Sequence, residues 1–124
     1  MITGNDLSDG GTGYLGNSDG VSLIGNVANN CVNGITMFGN EDNQVPERNT
    51  IRDNTTLDND RHGIIIFGFT EAARPRDNLF QSNTSFGNGI WDLFEGIAGV
   101  GAAPDCLNTW MDNDFDVAAS DCIE

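Results

Sequence analysis

Asn49-Thr-Ile-Arg-Asp-Asn54, followed by Asn59 and then Gly63-Ile-Ile-Ile66, is the stretch on which the fold turns. A single apolar residue, Ile51, stands three positions before an Asn, and a second Asn and a Gly then lead into a short apolar run. Outward from this stretch the first half returns as Ile2-Thr-Gly-Asn5, Leu23-Ile-Gly-Asn26, Phe80-Gln-Ser-Asn83 and Trp110-Met-Asp-Asn113, with Asn-to-Asn steps of 21, 28, 29 and 30 residues. The second half returns as Gly13-Tyr14, Gly34-Ile35 and Gly89-Ile90, with Asn30 and Asn88 between the two landmarks. Asn78 and Asn108 repeat Asn49, each three residues ahead of the apolar position. Self-similarity at a near-constant period marks a stack of repeated units.

Helical repeats of this length would need apolar residues at i, i+3, i+4 and i+7. These segments instead show one or two alternations and then Gly or Asn, which a helix interior tolerates poorly. The prediction is an all-β fold, a single-stranded right-handed parallel β-helix of about five coils, forming one domain over residues 1–124 with a closing coil over 106–124. The right hand follows from the general preference of parallel crossovers. Stacked coils lie about 4.8 Å apart, so a residue repeated at one site per coil forms a ladder. Asn5, Asn26, Asn54, Asn83 and Asn113 are read as such a ladder: Asn accepts the left-handed conformation of a sharp bend, and its amide can donate to one coil while accepting from the next. Ile2, Leu23, Ile51, Phe80 and Trp110 then form one inward stack, and Tyr14, Ile35, Ile64 and Ile90 another. Met37 and Ile66 continue inward, whereas Thr36, Ile65 and Trp91 alternate outward. Asp92 falls at the site of Met37 and Ile66, which implies either a bulge that restores Leu93 to the core or an inward carboxylate.

Composition bounds the function. The 124 residues suffice for one domain. Five Arg and no Lys stand against 19 acidic side chains, a formal charge of -14 that repels nucleic-acid phosphates and anionic lipid, so neither is expected as a partner. No apolar run approaches the roughly 18 residues of a membrane-spanning helix. An apolar content of 38%, with seven Phe and two Trp, supplies a core and argues against disorder. The lysine-free acidic surface resembles that of salt-adapted proteins.

The pattern Asn-Thr-Ile-x-x-Asn, then Asn, then Gly-Ile-x-Ile resembles the parallel β-helix repeat of the pectate-lyase-like superfamily. The ending Cys106-Leu-Asn-Thr-Trp110-Met-Asp-Asn113-Asp-Phe, then Ser120-Asp-Cys122-Ile, is similar to the closing coil of many secreted members. The resemblance implies the fold over nearly the whole chain. It is consistent with lyases, hydrolases, epimerases, tailspikes and adhesins alike, since function is carried by sites grafted on a fold.

Cys106 and Cys122 bracket the last coil, and a disulfide is predicted there, the alternative being two reduced buried thiols. A disulfide implies a secreted or periplasmic location. Cys31 is read as a free thiol in the turn before Gly34, the alternative being an intermolecular link. No basic n-region or apolar h-region follows Met1, so the chain is expected to be intracellular, a mature part, or a fragment. Its first coil begins at Ile2 without a cap, which suggests the C-terminal part of a longer protein or an open end that pairs with another copy.

Three longer loops, 40–48, 69–77 and 95–105, are expected side by side as the wall of a groove beside Thr36, Ile65 and Trp91. Trp91 and Ile65 would meet a substrate there, with Arg48, Arg61, Arg74 and Arg76 favouring an anionic polymer. His62, the one histidine, and Arg61 are candidates for proton abstraction next to a neutralised carboxylate. Asp92 and Glu95 are the one pair suited to glycoside hydrolysis, which needs two facing carboxylates. Calcium is the cation that Asp112, Asp114 and Asp116, or Asp42, Glu47, Glu71 and Asp77, would hold through oxygen ligands. The expected function is a secreted carbohydrate-associated β-helix that binds or processes a polysaccharide on its loop-walled face, with enzyme activity left open. The alternative is a non-catalytic structural or surface module that self-assembles through its open end or lateral face.

Overall fold

The structure, a computed structural model, describes residues 1–41 and 44–124. The first coil carries β1 (Ile2–Thr3) and β2 (Thr12–Gly16), the second β3 (Ser22–Ile24) and β4 (Asn33–Gly39). The third carries β5 (Thr50–Arg52), β6 (Thr55–Leu57) and β7 (His62–Gly68), the fourth β8 (Leu79–Gln81), β9 (Thr84–Phe86) and β10 (Trp91–Ile97). After β10 the chain folds back as β11 (Gly101–Ala102), and the closing coil adds β12 (Thr109–Met111) and β13 (Asp114–Phe115). Three sheets result, in the orders β1-β3-β5-β8-β12, β11-β10-β7-β4-β2 and β13-β9-β6. Every pairing is parallel except that of β10 with β11. The molecule is therefore a parallel β-solenoid. Five rungs stack in the first sheet, yet the turns amount to about three, fewer than the expected five, because the third face is a sheet in only three coils.

The first inward stack runs Ile2, Leu23, Ile51, Phe80, Trp110 in direct register. It ends on the stacked rings of Phe80 and Trp110, whose centroids lie 4.2 Å apart. The second stack runs Tyr14, Ile35, Ile64 and then Leu93, not Ile90, which is exposed. Beside it, Glu95 rather than Asp92 occupies the site of Met37 and Ile66, and Asp92 sits level with Gly63. The expected register of the fourth coil was thus three residues out. Its physical determinant is the corner Asn. Asn88 bonds Asn59 across the rung, through N–H and amide donors of Asn59 to Oδ1 of Asn88 at 3.1 and 2.8 Å, and the strand that follows keeps the same distance from each.

Three polar ladders climb the stack. Asn5, Asn26, Asn54, Asn83 and Asn113 form the longest. Each residue's backbone N–H and amide donate to the Oδ1 of the next, at 2.9 to 3.1 Å. The amides of Asn26, Asn54, Asn83 and Asn113 also donate backward, to the carbonyls of Ile2, Leu23, Ile51 and Phe80. Asn49, Asn78 and Asn108 make a second ladder in the same way. The third is Cys31, Asn59, Asn88. Cys31, not Asn30, stands at that corner: its N–H donates to Asn59 Oδ1 at 2.9 Å and its Sγ lies 3.4 Å from the Leu7 carbonyl, the place that the Asn59 amide takes toward Ala28.

The left-handed backbone falls one residue before every position of the first and third ladders. Gly4, Gly25, Asp53, Ser82 and Asp112 take φ of 55° to 65° ahead of the first ladder, and Asn30, Asp58 and Gly87 take 54° to 69° ahead of the third. Asn itself was expected to bend. The preceding residue does so instead, which leaves the Asn amide and N–H free to run along the stack. In the closing coil Cys106 and Cys122 form the disulfide, and Cys31 is free and buried.

Candidate functional site

The outer face of the second sheet holds a groove of 680 Å³. Its floor comes from three successive coils. Asn33 of β4 and His62 of β7 are adjacent in register with Trp91 of β10, and Ile65 lies beside Phe94. Phe67 flanks them, and the turn from Ile97 to Gly101 forms the wall. That turn closes down because position 96 is glycine: a side chain there would collide with the Gly101 carbonyl and the Phe94 ring. Beyond the groove, Phe38 and Phe67 stack at 6.2 Å and Phe69 meets both edge-on. The face is thus an aromatic strip built by register, since Phe38 and Phe67 sit at one position of neighbouring coils.

Two polar side chains interrupt the strip. His62 is 7% exposed, its ring 5.9 Å from that of Phe94. Burial, and then the neighbouring Arg61 guanidinium, hold its pKa below the usual imidazole value, so it is neutral at pH 7. Among the described residues its Nδ1 has no partner, and neither has the Oδ1 of Asn33 one rung away. Thr36 Oγ1, next to Ile65, is likewise buried without a partner.

The structure separates the remaining predicted site residues. Arg61, His62 and Ile65 line the groove together. Trp91 does not occupy the outward stripe with Thr36 and Ile65; the corrected register puts Phe94 there, so the aromatic side chain over the floor is Phe94. Arg74 is 2% exposed and lies inside the fold, with Nη2 3.2 Å from Glu95 Oε2 and Nη1 3.0 Å from Glu71. Arg48 pairs with Glu47 and Asp19, and Arg76 approaches Glu47 and donates to the Ala72 carbonyl. The expected row of cations along the groove is therefore reduced to Arg61. One loop, 97–101, walls it in place of the three expected.

Asp92 and Glu95 are buried at 2% exposure each and point to the closing coil. Asp92 Oδ1 accepts from the Asn88 amide at 2.8 Å, and Oδ2 from the N–H groups of Asp116 and Val117 at 3.1 and 2.9 Å. Glu95 accepts from Trp110 Nε1 at 2.8 Å, from Leu107 N–H at 2.6 Å and from Arg74. Neither faces a substrate surface, so the pair does not flank a bond to be hydrolysed. Among the described residues no cluster of three or more His, Cys, Asp or Glu is arranged to hold a metal, and Asp112, Asp114 and Asp116 do not converge. Asp42, from the other proposed calcium set, lies outside the described residues. No helix of the described residues is long and apolar enough to cross a membrane.

Stacked coils, Asn corners and a face-borne groove define a parallel β-helix protein. A family model described as periplasmic copper-binding protein (NosD) matches residues 1–101, and the chain belongs to that family. Comparison with curated proteins and with solved structures returns no match. Copper sites in proteins use imidazole, thiolate or thioether ligands gathered at one point. Here the single His stands apart, two of three Cys are joined to each other, Cys31 is sealed in a ladder, Met37 is in the core and Met111 on the first sheet. Met1 is exposed at the start of the first coil, and among the described residues these donors do not gather at one point as a copper site requires.

Proposed function

We propose that this β-helix is an extracytoplasmic saccharide-binding module whose groove lies on the outer face of the second sheet. The observation that carries the reading is the combination on one floor of aromatic and aliphatic side chains, Phe67, Phe94 and Ile65, with the unpartnered polar atoms of Asn33 and His62. Pyranose rings present one C–H face and a rim of hydroxyls, so they need such a mixture of flat apolar area and hydrogen-bonding atoms. Coils repeat at about 4.8 Å, close to the advance of one sugar along an extended chain, which suits a linear polysaccharide lying along the stack. The location outside the cytoplasm is supported by the Cys106–Cys122 disulfide and by the family's periplasmic description.

Titration calorimetry of the full chain against linear hexasaccharides tests this. Binding that is lost in Phe94→Ala while the melting temperature holds would support it; no heat with any oligosaccharide at millimolar concentration would sink it. A second reading, self-association, is favoured by Leu15, 62% exposed on β2 at the edge of the second sheet. Light scattering with and without saccharide distinguishes the two, since a concentration-dependent multimer indifferent to sugar would favour association.

A further inference from the structure

Electrostatics and the chemistry of the groove floor discriminate between kinds of saccharide. A uronate polymer presents a carboxylate on every sugar and would need several free cations along its track. The groove has one, Arg61, which is exposed at its rim. Of the other arginines, Arg74 is buried against Glu95, Arg48 is paired with Glu47 and Asp19, Arg52 with Asp53, and Arg76 lies 3.8 Å from Glu47 and outside the groove lining. A net charge of -14 over the chain adds long-range repulsion toward any polyanion.

The floor asks for donors that carry no charge. Asn33 Oδ1 accepts only, and His62 Nδ1 in the neutral ring is an acceptor in one tautomer and a donor in the other. A hydroxyl satisfies either, because it both donates and accepts; a uronate's hydroxyls do the same, but its carboxylate brings only acceptors and finds on the floor no cation to offset its charge. Both atoms are buried, so a sugar hydroxyl pairs with them once the Asn33 or His62 side chain turns toward the groove, and the pairing recovers the free energy that an unpaired buried polar atom costs. The two side chains are neighbours on adjacent coils, so one sugar unit can reach both. The apolar area around them supplies stacking without charge preference.

From this juxtaposition of a near-neutral aromatic floor with two unpaired polar atoms one coil apart, we infer that the groove selects uncharged polysaccharide and discriminates against polyuronates. The inference rests on the saccharide-binding reading and narrows it.

The test is calorimetry of the full chain with three probes, cellohexaose, mannohexaose and hexagalacturonate, at physiological salt. At least one neutral hexasaccharide is expected to bind ten-fold or more tightly than hexagalacturonate. Asn33→Leu and His62→Leu should each weaken it at least five-fold. Arg52→Ala, an exposed change on β5 of the first sheet and away from the groove, should alter neutral binding less than two-fold. Hexagalacturonate binding as tightly as the neutral probes would overturn the selectivity while leaving the groove a saccharide site. Silence with all three probes would remove the saccharide reading itself, and the selectivity with it. Should the Leu variants melt early, Asn33→Asp and His62→Gln serve in their place: both keep an acceptor for a sugar hydroxyl and should retain neutral binding, while Asn33→Asp, which adds charge to the floor, should weaken hexagalacturonate further; loss of neutral binding in both would overturn the inference.

Discussion

The middle of the stack and its closing coil are held by different chemistry. Coils two to four are joined by Asn, whose Oδ1 accepts from one coil while its amide donates to the next, so the same residue repeats without limit. The closing coil keeps two of these ladders, through Asn108 and Asn113, and adds carboxylates. Asp92 ends the third ladder by accepting the Asn88 amide, and it gives its other oxygen to the N–H groups of Asp116 and Val117. Glu95 occupies a core rung and grips Leu107, Trp110 and Arg74. A group that both donates and accepts propagates a stack; a group that only accepts terminates it. In the third ladder, then, Asn repeats and Asp closes, whereas the first two ladders end on Asn113 and Asn108 themselves.

The largest expected effect lies at the closure. Glu95→Ala strips Arg74 of its buried partner and leaves Trp110 Nε1 and Leu107 N–H without acceptors, a loss of about 3–5 kcal/mol readable by urea denaturation. Glu95→Gln should recover part of it, because Oε1 can still accept from Trp110; equal loss in both variants would assign the whole effect to charge. Next in size, Cys106→Ser with Cys122→Ser removes a bridge spanning 16 residues and should cost about 3 kcal/mol, seen as a lowered Tm that reductant no longer shifts.

A mid-stack change should come third. Asn54→Asp exchanges a donor for a second acceptor, losing the bonds to the Leu23 carbonyl and to Asn83 Oδ1, at about 1–3 kcal/mol. The same exchange at Asn113, the last and less buried rung, should cost less, and parity between the two would break the distinction between propagation and termination. The smallest effect is a pH dependence. His62 is neutral in the fold and has a depressed pKa, so the unfolded chain takes up the proton first as pH falls below the usual value of 6.5. Stability should therefore decline from that pH downward until the folded imidazole also titrates, and His62→Gln should flatten this part of the curve, measured as Tm against pH.

Most of the fold was legible in the residues. Ile2, Leu23, Ile51, Phe80 and Trp110 stack as their spacing implies, because a parallel rung aligns equivalent positions and a 3-residue strand leaves little freedom. The fourth coil was misread because Gly89-Ile90 imitates Gly63-Ile64. The signal that could have corrected it was the Asn corner: measured from Asn59 and Asn88, the strands begin alike and Asp92 falls level with Gly63. Cys31 likewise could have been found from the 28-residue step that Asn26 and Asn54 share. The groove was harder. Arg74 looks like a surface cation until it is seen beneath Glu95, and nothing local in the sequence tells a buried arginine from an exposed one.

By itself the sequence determined that the chain winds into stacked parallel coils with Asn at the corners, since period and turn chemistry are local and repeat along the chain. Only the tertiary structure decided which carboxylates close the stack, which arginine reaches the groove and where its unpaired polar atoms lie. Those depend on register between residues about 30 apart, and a shift of three residues moves a side chain from core to solvent without altering composition or period.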